Sequence, residues 1–273
     1  VAELNDDFPV IEEGGDRRKL CARPVEEGTR PTVGHVFAET PTTRLIPRNE
    51  WQPVDLSHWL APIKDQNGIG ECNWSSTGNC MEGCRAMHGL PHYDLSAGDG
   101  YSWTNGGSDN GSLPEDALKR MLTDGIATVA SVPYHNWRTK YNSPEIIEER
   151  KRFRFLEALW CPTFEHAASA LQQGFFLDTA VWWYSRDPVD VDGWLNDVGG
   201  GSRGGHAICG CGLVERNGRW GIKIANSWTR AWGKDGFGVL PEARCVAGTK
   251  VFRWWALREV VQESGDLPVP KFN

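Results

Sequence analysis

Apolar positions are spread unevenly along the chain. Residues 1–48 hold Pro9, Pro24, Pro31, Pro41 and Pro47 among many charges, with no sustained period of 2 or 3.6. Such a segment buries little by itself, which predicts an extended N-terminal arm rather than a domain. From residue 50 the pattern becomes that of a folded core. Residues 72–88 read as a helix ending near Gly89. At 114–124, Pro114 suits a first helical turn, Ala117, Leu118, Met121 and Leu122 form one stripe, and Gly125 suits the C-terminal cap. Ser143-Pro144-Glu145 opens a third helix, and residues 163–173, stopped by Gly174, a fourth.

Beyond residue 175 the period shortens. Residues 176–184, 206–214, 220–225, 236–240 and 251–257 are short runs rich in β-branched and aromatic residues, and Asn217-Gly218 between two of them signals a tight hairpin. Helices first and strands second predict an α+β fold of two lobes. The helical lobe spans 49–160 and the β-rich lobe 161–273, with a cleft between them. No internal repeat is visible. The glycine-rich run 199–205 lacks the Lys-Ser/Thr ending of a phosphate loop and reads as a hinge loop at the cleft rim.

Composition narrows the function classes. Of 273 residues, 36 are Asp or Glu and 29 Lys or Arg, a net charge of −7 with no dense basic run, which argues against nucleic acid or an anionic membrane as the main partner. No stretch approaches the ~20 apolar residues of a membrane span. Residues 1–16 lack the apolar segment of a secretory signal; the expected setting is intracellular, bacterial or virion-associated. Fourteen tryptophans predict a Trp-rich core or cleft wall. Eight cysteines in so long a chain are not a disulfide framework, and no pairing follows from their positions.

Candidate chemistry starts at Gln66-Asn67-Gly68-Ile69-Gly70-Glu71-Cys72. The glycines mark a tight loop, and a helix beginning at Cys72 sets the thiol at the positive end of the helix dipole, which favours thiolate. Gln66 can return a side-chain amide to the same point, as an oxyanion requires. Among seven histidines, His206 stands at the start of a strand after the glycine run, and Asn226 ends the following strand in Lys223-Ile224-Ala225-Asn226-Ser227-Trp228. The Asn226 oxygen can fix the imidazole tautomer, with nearby indoles shielding that bond.

These blocks resemble the papain-like cysteine peptidases. Residues 62–72 resemble the segment with the oxyanion glutamine and the nucleophile, Gly205-His206-Ala207 the segment with the base, and residues 226–238, with Trp228, Trp232 and a Trp-Gly…Gly pattern, the asparagine segment. His206 and Asn226 follow Cys72 at about 130–150 residues, the expected separation. Glu82-Gly83 and Asp109-Asn110-Gly111-Ser112 add weaker echoes, so the resemblance covers roughly residues 47–257. It implies Cys72 as nucleophile, His206 as base, Asn226 as its orienter and Gln66 in the oxyanion hole. Asn110, Gly111, Ser112 and Gly205 would contact the substrate backbone, Trp228 and Trp232 would wall the leaving-group side, and neither metal nor organic cofactor is required.

The chain departs from the pattern at Ile69, where the family usually has a cysteine, and at Asn73, where an aromatic residue is common. Glu71 beside the thiol opposes its ionisation, and Gly205 replaces a residue that often helps position the base. The arm is short for a full inhibitory propeptide, though deleting it would raise turnover if it covers the cleft. The expected partner is a peptide or protein substrate, with a second protein contact possible through the arm. Rival readings are a structural or assembly component retaining the fold, and a cysteine-type cell-wall amidase. Cys80, Cys84 and His88 share a helix face but span ~12 Å, too far for one metal, and Cys209 and Cys211 alternate on a strand; both sets read as core.

Overall fold

Residues 72–87 carry serines, asparagines and a glutamate where a buried helix would ordinarily be apolar, yet Cys72 to Arg85 are all buried. Several of their polar groups bond within the protein. Asn73 donates to the carbonyl and hydroxyl oxygens of Ser112 at 2.7 and 2.9 Å. Ser76 and Thr77 donate to Asp178 at 2.5 and 3.0 Å, and Lys64 donates to Glu82 at 2.7 Å. A helix bonded in this way tolerates burial without a one-sided apolar stripe. The computed structural model describes residues 10–13, 16–25, 31–245 and 252–262.

Five helices are present among the described residues: α1 (Cys72–Met87), α2 (Ala97–Thr104), α3 (Pro114–Thr123), α4 (Pro144–Lys151) and α5 (Phe164–Gln172). Four match the sequence expectation to within two residues. The fifth, α2, was not expected, because Ala-Gly-Asp-Gly is a poor helix former. It is held by the Ser96 cap, which accepts from the Asp99 amide at 3.2 Å, and by the buried Asp99–Arg150 ion pair at 2.5 Å. Both are tertiary or capping effects that periodicity does not carry.

A hairpin of β1 (Val10–Glu13) and β2 (Asp16–Lys19) stands apart from the main sheet. The main sheet has the order β3 (His35–Val36), β5 (Leu159–Trp160), β10 (Trp255–Leu257), β6 (Phe176–Arg186), β7 (Gly200–Arg216), β8 (Arg219–Ala225) and β9 (Phe237–Pro241), and β4 (Val54–Asp55) pairs with β7. All its pairings are antiparallel except β3 with β5. The Asn217-Gly218 turn joins β7 to β8 with both residues at positive φ, as the sequence predicted. Helix α1 packs against β6 and β7, with Cys80 Sγ 3.5 Å from Cys209 Sγ between them. Among the described residues, no helix is long and apolar enough to cross a membrane.

Two expectations are corrected. The glycine run is not a loop: residues 200–205 form the first part of β7 and pair with β6 from Arg186↔Gly200 to Trp182↔Gly205. His206 therefore sits inside a long strand rather than at its start. The arm is also not one extended piece. His35 and Phe37 donate backbone bonds to Ala158 and Trp160, and the Phe37 ring meets Phe175 edge-on at 5.5 Å. The segment from Val33 onward thus belongs to the core, leaving 16–25 as the part that travels elsewhere. Of the expected 251–257 strand, residue 251 lies outside the described residues, and the strand itself begins at Trp255.

Candidate active site

The loop 66–71 delivers Cys72 as the first residue of α1, fully buried. Backbone N–H groups of Ala207, Cys21, Asn73 and Cys72 itself act on its sulfur. That places the thiol beside the strand carrying His206, and Cys72, Ala180, Ala207 and Phe252 pack in one small cluster with Ala22 of the arm.

His206 Nε2 lies 2.8 Å from Asn226 Oδ1. The Asn226 oxygen also accepts from the Ser227 amide at 2.8 Å, which fixes its orientation. If the amide oxygen accepts from the ring, Nε2 carries the hydrogen and Nδ1 is left as the basic nitrogen. Nδ1 is buried and bonds to no described residue. The imidazole stacks on Trp228 at 4.6 Å and meets the edge of Trp183 at 5.3 Å, while Trp183 also contacts Trp228 and Trp232. The indoles exclude water from the His206–Asn226 bond and leave the ring one orientation.

Gln66 is held at both ends of its amide. Its oxygen accepts from Ser227 Oγ at 2.6 Å and Trp228 Nε1 at 3.2 Å. Its nitrogen donates to Ile69 O at 2.8 Å and, across the cleft, to the carbonyl of Lys19 at 3.2 Å. So a peptide carbonyl of the arm rests on the donor that an oxyanion would use.

The rest of the cleft is filled in the same way. Ala22 N donates to Gly205 O at 2.8 Å and Arg23 N to Ser112 O at 3.0 Å, with Ala22 bridged in parallel to Ser112. Arg23 Nε donates to Asn110 O at 2.9 Å. At Gly111, held at φ +69 with its amide bonded to Tyr101 Oη at 2.8 Å, a Cβ would overlap the carbonyl of Cys21; at Gly205 it would overlap that of Ala22. Both positions need glycine for the arm backbone to approach so closely. Arg18 pairs with Asp65 at 2.7 Å and reaches the Trp228 carbonyl, and Lys19 pairs with Asp109 at 3.0 Å. Leu20, Cys21 and Ala22 are buried as deeply as the core.

A family model described as papain family cysteine protease matches residues 48–250. The chain belongs to that family. It is 25% identical over 233 residues to cathepsin B-like cysteine proteinase 6 of Caenorhabditis elegans, a match covering 70% of this chain and 59% of that relative. The chain thus spans less than two thirds of the curated relative's length. Among solved structures it resembles xylellain, a cysteine protease from Xylella fastidiosa, with a TM-score of 0.72 at 17% identity, covering 89% of this chain and 98% of that one. It also resembles procathepsin B S9 of Trypanosoma congolense, with a TM-score of 0.62 at 18% identity over 84% and 87% of the two chains. These likenesses establish the two-lobed papain-like α+β fold.

Within this papain-family cleft, Asn110, Gly111, Ser112 and Gly205 lie along the arm, Trp228 stacks on His206, and Trp232 packs against Trp228 and Trp183. Sequence reasoning raised the arm as a cover for the cleft without saying that residues 18–23 fill it, gave Asp65 and Asp109 no role, and missed Trp183. Trp183 was accessible from alternation along β6; the arm's destination had no local signal.

Electrostatics inside the filled cleft differ from the expectation of an activated thiolate. Burial pushes the Cys72 thiol up to about 11, overriding the amide donors at the helix start. Burial likewise pulls His206 down to about 4, against the opposing bond to Asn226 and with help from the nearby Arg18 charge. Both groups are therefore neutral around pH 7. Glu71 does not lie on the thiol; burial raises its pKa and its carboxylate bonds His135 Nδ1 at 3.0 Å.

Proposed function

We propose that the chain is a cysteine peptidase using Cys72, His206, Asn226 and Gln66, captured here with its own arm across the cleft. The observation that carries this reading is the fixed His206–Asn226 bond beside Cys72, with the Gln66 amide already holding a peptide carbonyl. In the open cleft water would stabilise both charged forms, so the thiol proton passes to His206 Nδ1. The thiolate then attacks a peptide carbonyl carbon, and the oxyanion is held by Gln66 Nε2 and the Cys72 amide. Imidazolium protonates the leaving amine, the acyl group remains as a thioester, and water activated by His206 releases the acid and restores the thiol.

The arm runs through the cleft as a peptide, with the Lys19 carbonyl on Gln66 Nε2 and the Ala22 amide on the Gly205 carbonyl. A substrate class of extended peptides fits a cleft that pairs backbone with Ser112 and Gly205. The test is alkylation by a broad cysteine-peptidase peptidyl epoxide, read by intact mass and peptide mapping, on the full chain and on a chain starting at Val25. Single labelling at Cys72 in the shortened chain, lost in His206→Ala, is expected, together with peptide hydrolysis. A folded, reduced, shortened protein that neither labels nor cleaves peptides would overturn the reading and leave a structural role for the fold. Release of peptidoglycan fragments without peptide cleavage would instead assign it to cell-wall amides.

A further inference from the structure

At the end of α1 remote from Cys72, about 20 Å along the helix, the surface holds a pocket of roughly 480 Å³. Its polar lining is Arg85, Arg152, Tyr93 and Gln262, and its apolar wall is Leu90, Pro91 and Val261. No carboxylate among the described residues pairs with either arginine, whereas Arg48, Arg150, Arg216, Arg219 and Arg244 all have one. Arg85 is only 6% exposed, and its buried Nε bonds to no described residue. Its remaining donors reach the carbonyls of Arg152 and Pro91 at 3.4 and 3.5 Å, the outer limit of a hydrogen bond.

The two guanidinium groups also share the same rings. Arg85 lies 4.8 Å from Phe153 and 5.7 Å from Tyr93, and Arg152 lies 5.6 and 5.4 Å from them. Ring faces attract a cation, but they do not cancel repulsion between two of them in a half-buried place. Burial and the neighbouring Arg152 charge both pull the Arg85 pKa down. Buried charges are ordinarily paired, and Arg85, buried with no carboxylate on it among the described residues, lacks a negative group. Two planar forks suit a tetrahedral oxyanion, which accepts bidentate bonds from each. Tyr93 Oη, 3.4 Å from the Arg152 guanidinium, can donate a further bond. The volume exceeds what a lone phosphate needs and falls in the range of small-molecule sites.

We propose that this pocket binds a small phosphate monoester, its dianion between Arg85 and Arg152 and its apolar body against Leu90, Pro91 and Val261. The site is separate from the cleft and does not rest on the peptidase reading. Calorimetric titration of the full, reduced chain with phenyl phosphate, and separately with inorganic phosphate, at constant ionic strength tests it. One saturable event is expected for phenyl phosphate, severalfold tighter than for inorganic phosphate. Arg152 is exposed, so Arg152→Ala should leave the unliganded Tm unchanged while weakening binding by about tenfold or more; Arg85→Lys should weaken it with the ring contacts retained. Arg138→Ala, an exposed arginine elsewhere, should change nothing. Absence of saturable heat with phenyl phosphate, equal affinity for the two phosphates, or unchanged affinity in Arg152→Ala would each overturn the proposal.

Discussion

At the residue scale, the catalytic reading turns on what holds each side chain. Asn226 is bonded on its oxygen by His206 and by the Ser227 amide. Asn226→Ala removes the group that selects the imidazole tautomer, so in a chain freed of its arm kcat/KM should fall by about 10²-fold, with KM little changed, in steady-state peptide assays. Asp178, buried behind α1 and bonded by Ser76 and Thr77, is pushed up to about 7 by burial. Unfolded, an Asp titrates near ~4. The folded state therefore holds the proton more tightly, and this residue favours folding fully below about pH 4 and progressively less as pH rises to about 7. Urea unfolding of Asp178→Asn should show a flatter stability profile across that window, since an amide keeps both hydroxyl partners without a charge. An unchanged slope would mean Asp178 is not the group responsible.

At the element scale, α1 is the member on which both halves converge: its start carries Cys72, the proposed nucleophile, and its length is wedged between β6, β7 and α2. The crossing with α2 is close because Gly100 lacks a side chain, and a Cβ there would overlap the Trp74 ring. Trp74 cannot easily move, being fully buried and bonded through Nε1 to Thr104 Oγ1 at 2.8 Å. Gly100→Ala, though favourable for helix propensity, should cost about 1–3 kcal/mol of stability by overpacking, visible as a lower urea midpoint with the same slope. The helices and their ends were legible in the sequence because caps, Pro114 and apolar stripes are local signals. α2 was not, because its stability comes from Ser96 and Arg150 rather than from its own composition. The glycine run was misread for a related reason: glycine is a breaker in isolation, yet residues 200–205 find a partner strand in β6 and leave room for the arm at Gly205.

At the scale of the whole molecule, the arm and the cleft form one electrostatic and hydrogen-bonded unit. Arg18 and Lys19 meet Asp65 and Asp109, and the latter two carboxylates are part of the cleft rim. Replacing both bases, Arg18→Glu with Lys19→Glu, sets like charges face to face and should release the arm. Peptide turnover by the full chain should then rise several-fold toward that of the chain starting at Val25. Equal turnover in the parent and the charge-reversed chain would show that these pairs do not hold the arm. Opening the cleft also rehydrates Cys72 and His206, so the pH profile of Cys72 alkylation should shift to lower pH in the shortened chain, because desolvation is the main force raising the thiol. Removal must stop before Val33, since Val33 and Phe37 are core residues and a cut at residue 45 would open the core itself.

The sequence by itself determined the scaffold and carried the proposed chemistry: a cysteine at a helix start after a glycine loop, a histidine on a later strand, an asparagine just past the next one, and an α+β order of elements. Those properties follow from local preferences and from residue types whose reactivity is intrinsic. Only the tertiary structure decided that residues 18–23 fill the cleft, that Cys72 and His206 are both neutral there, and that Arg85 and Arg152 share a pocket with no carboxylate on either among the described residues. Each depends on contacts between segments far apart in the chain, where burial and neighbouring charge are set by the packing and leave no local pattern to read.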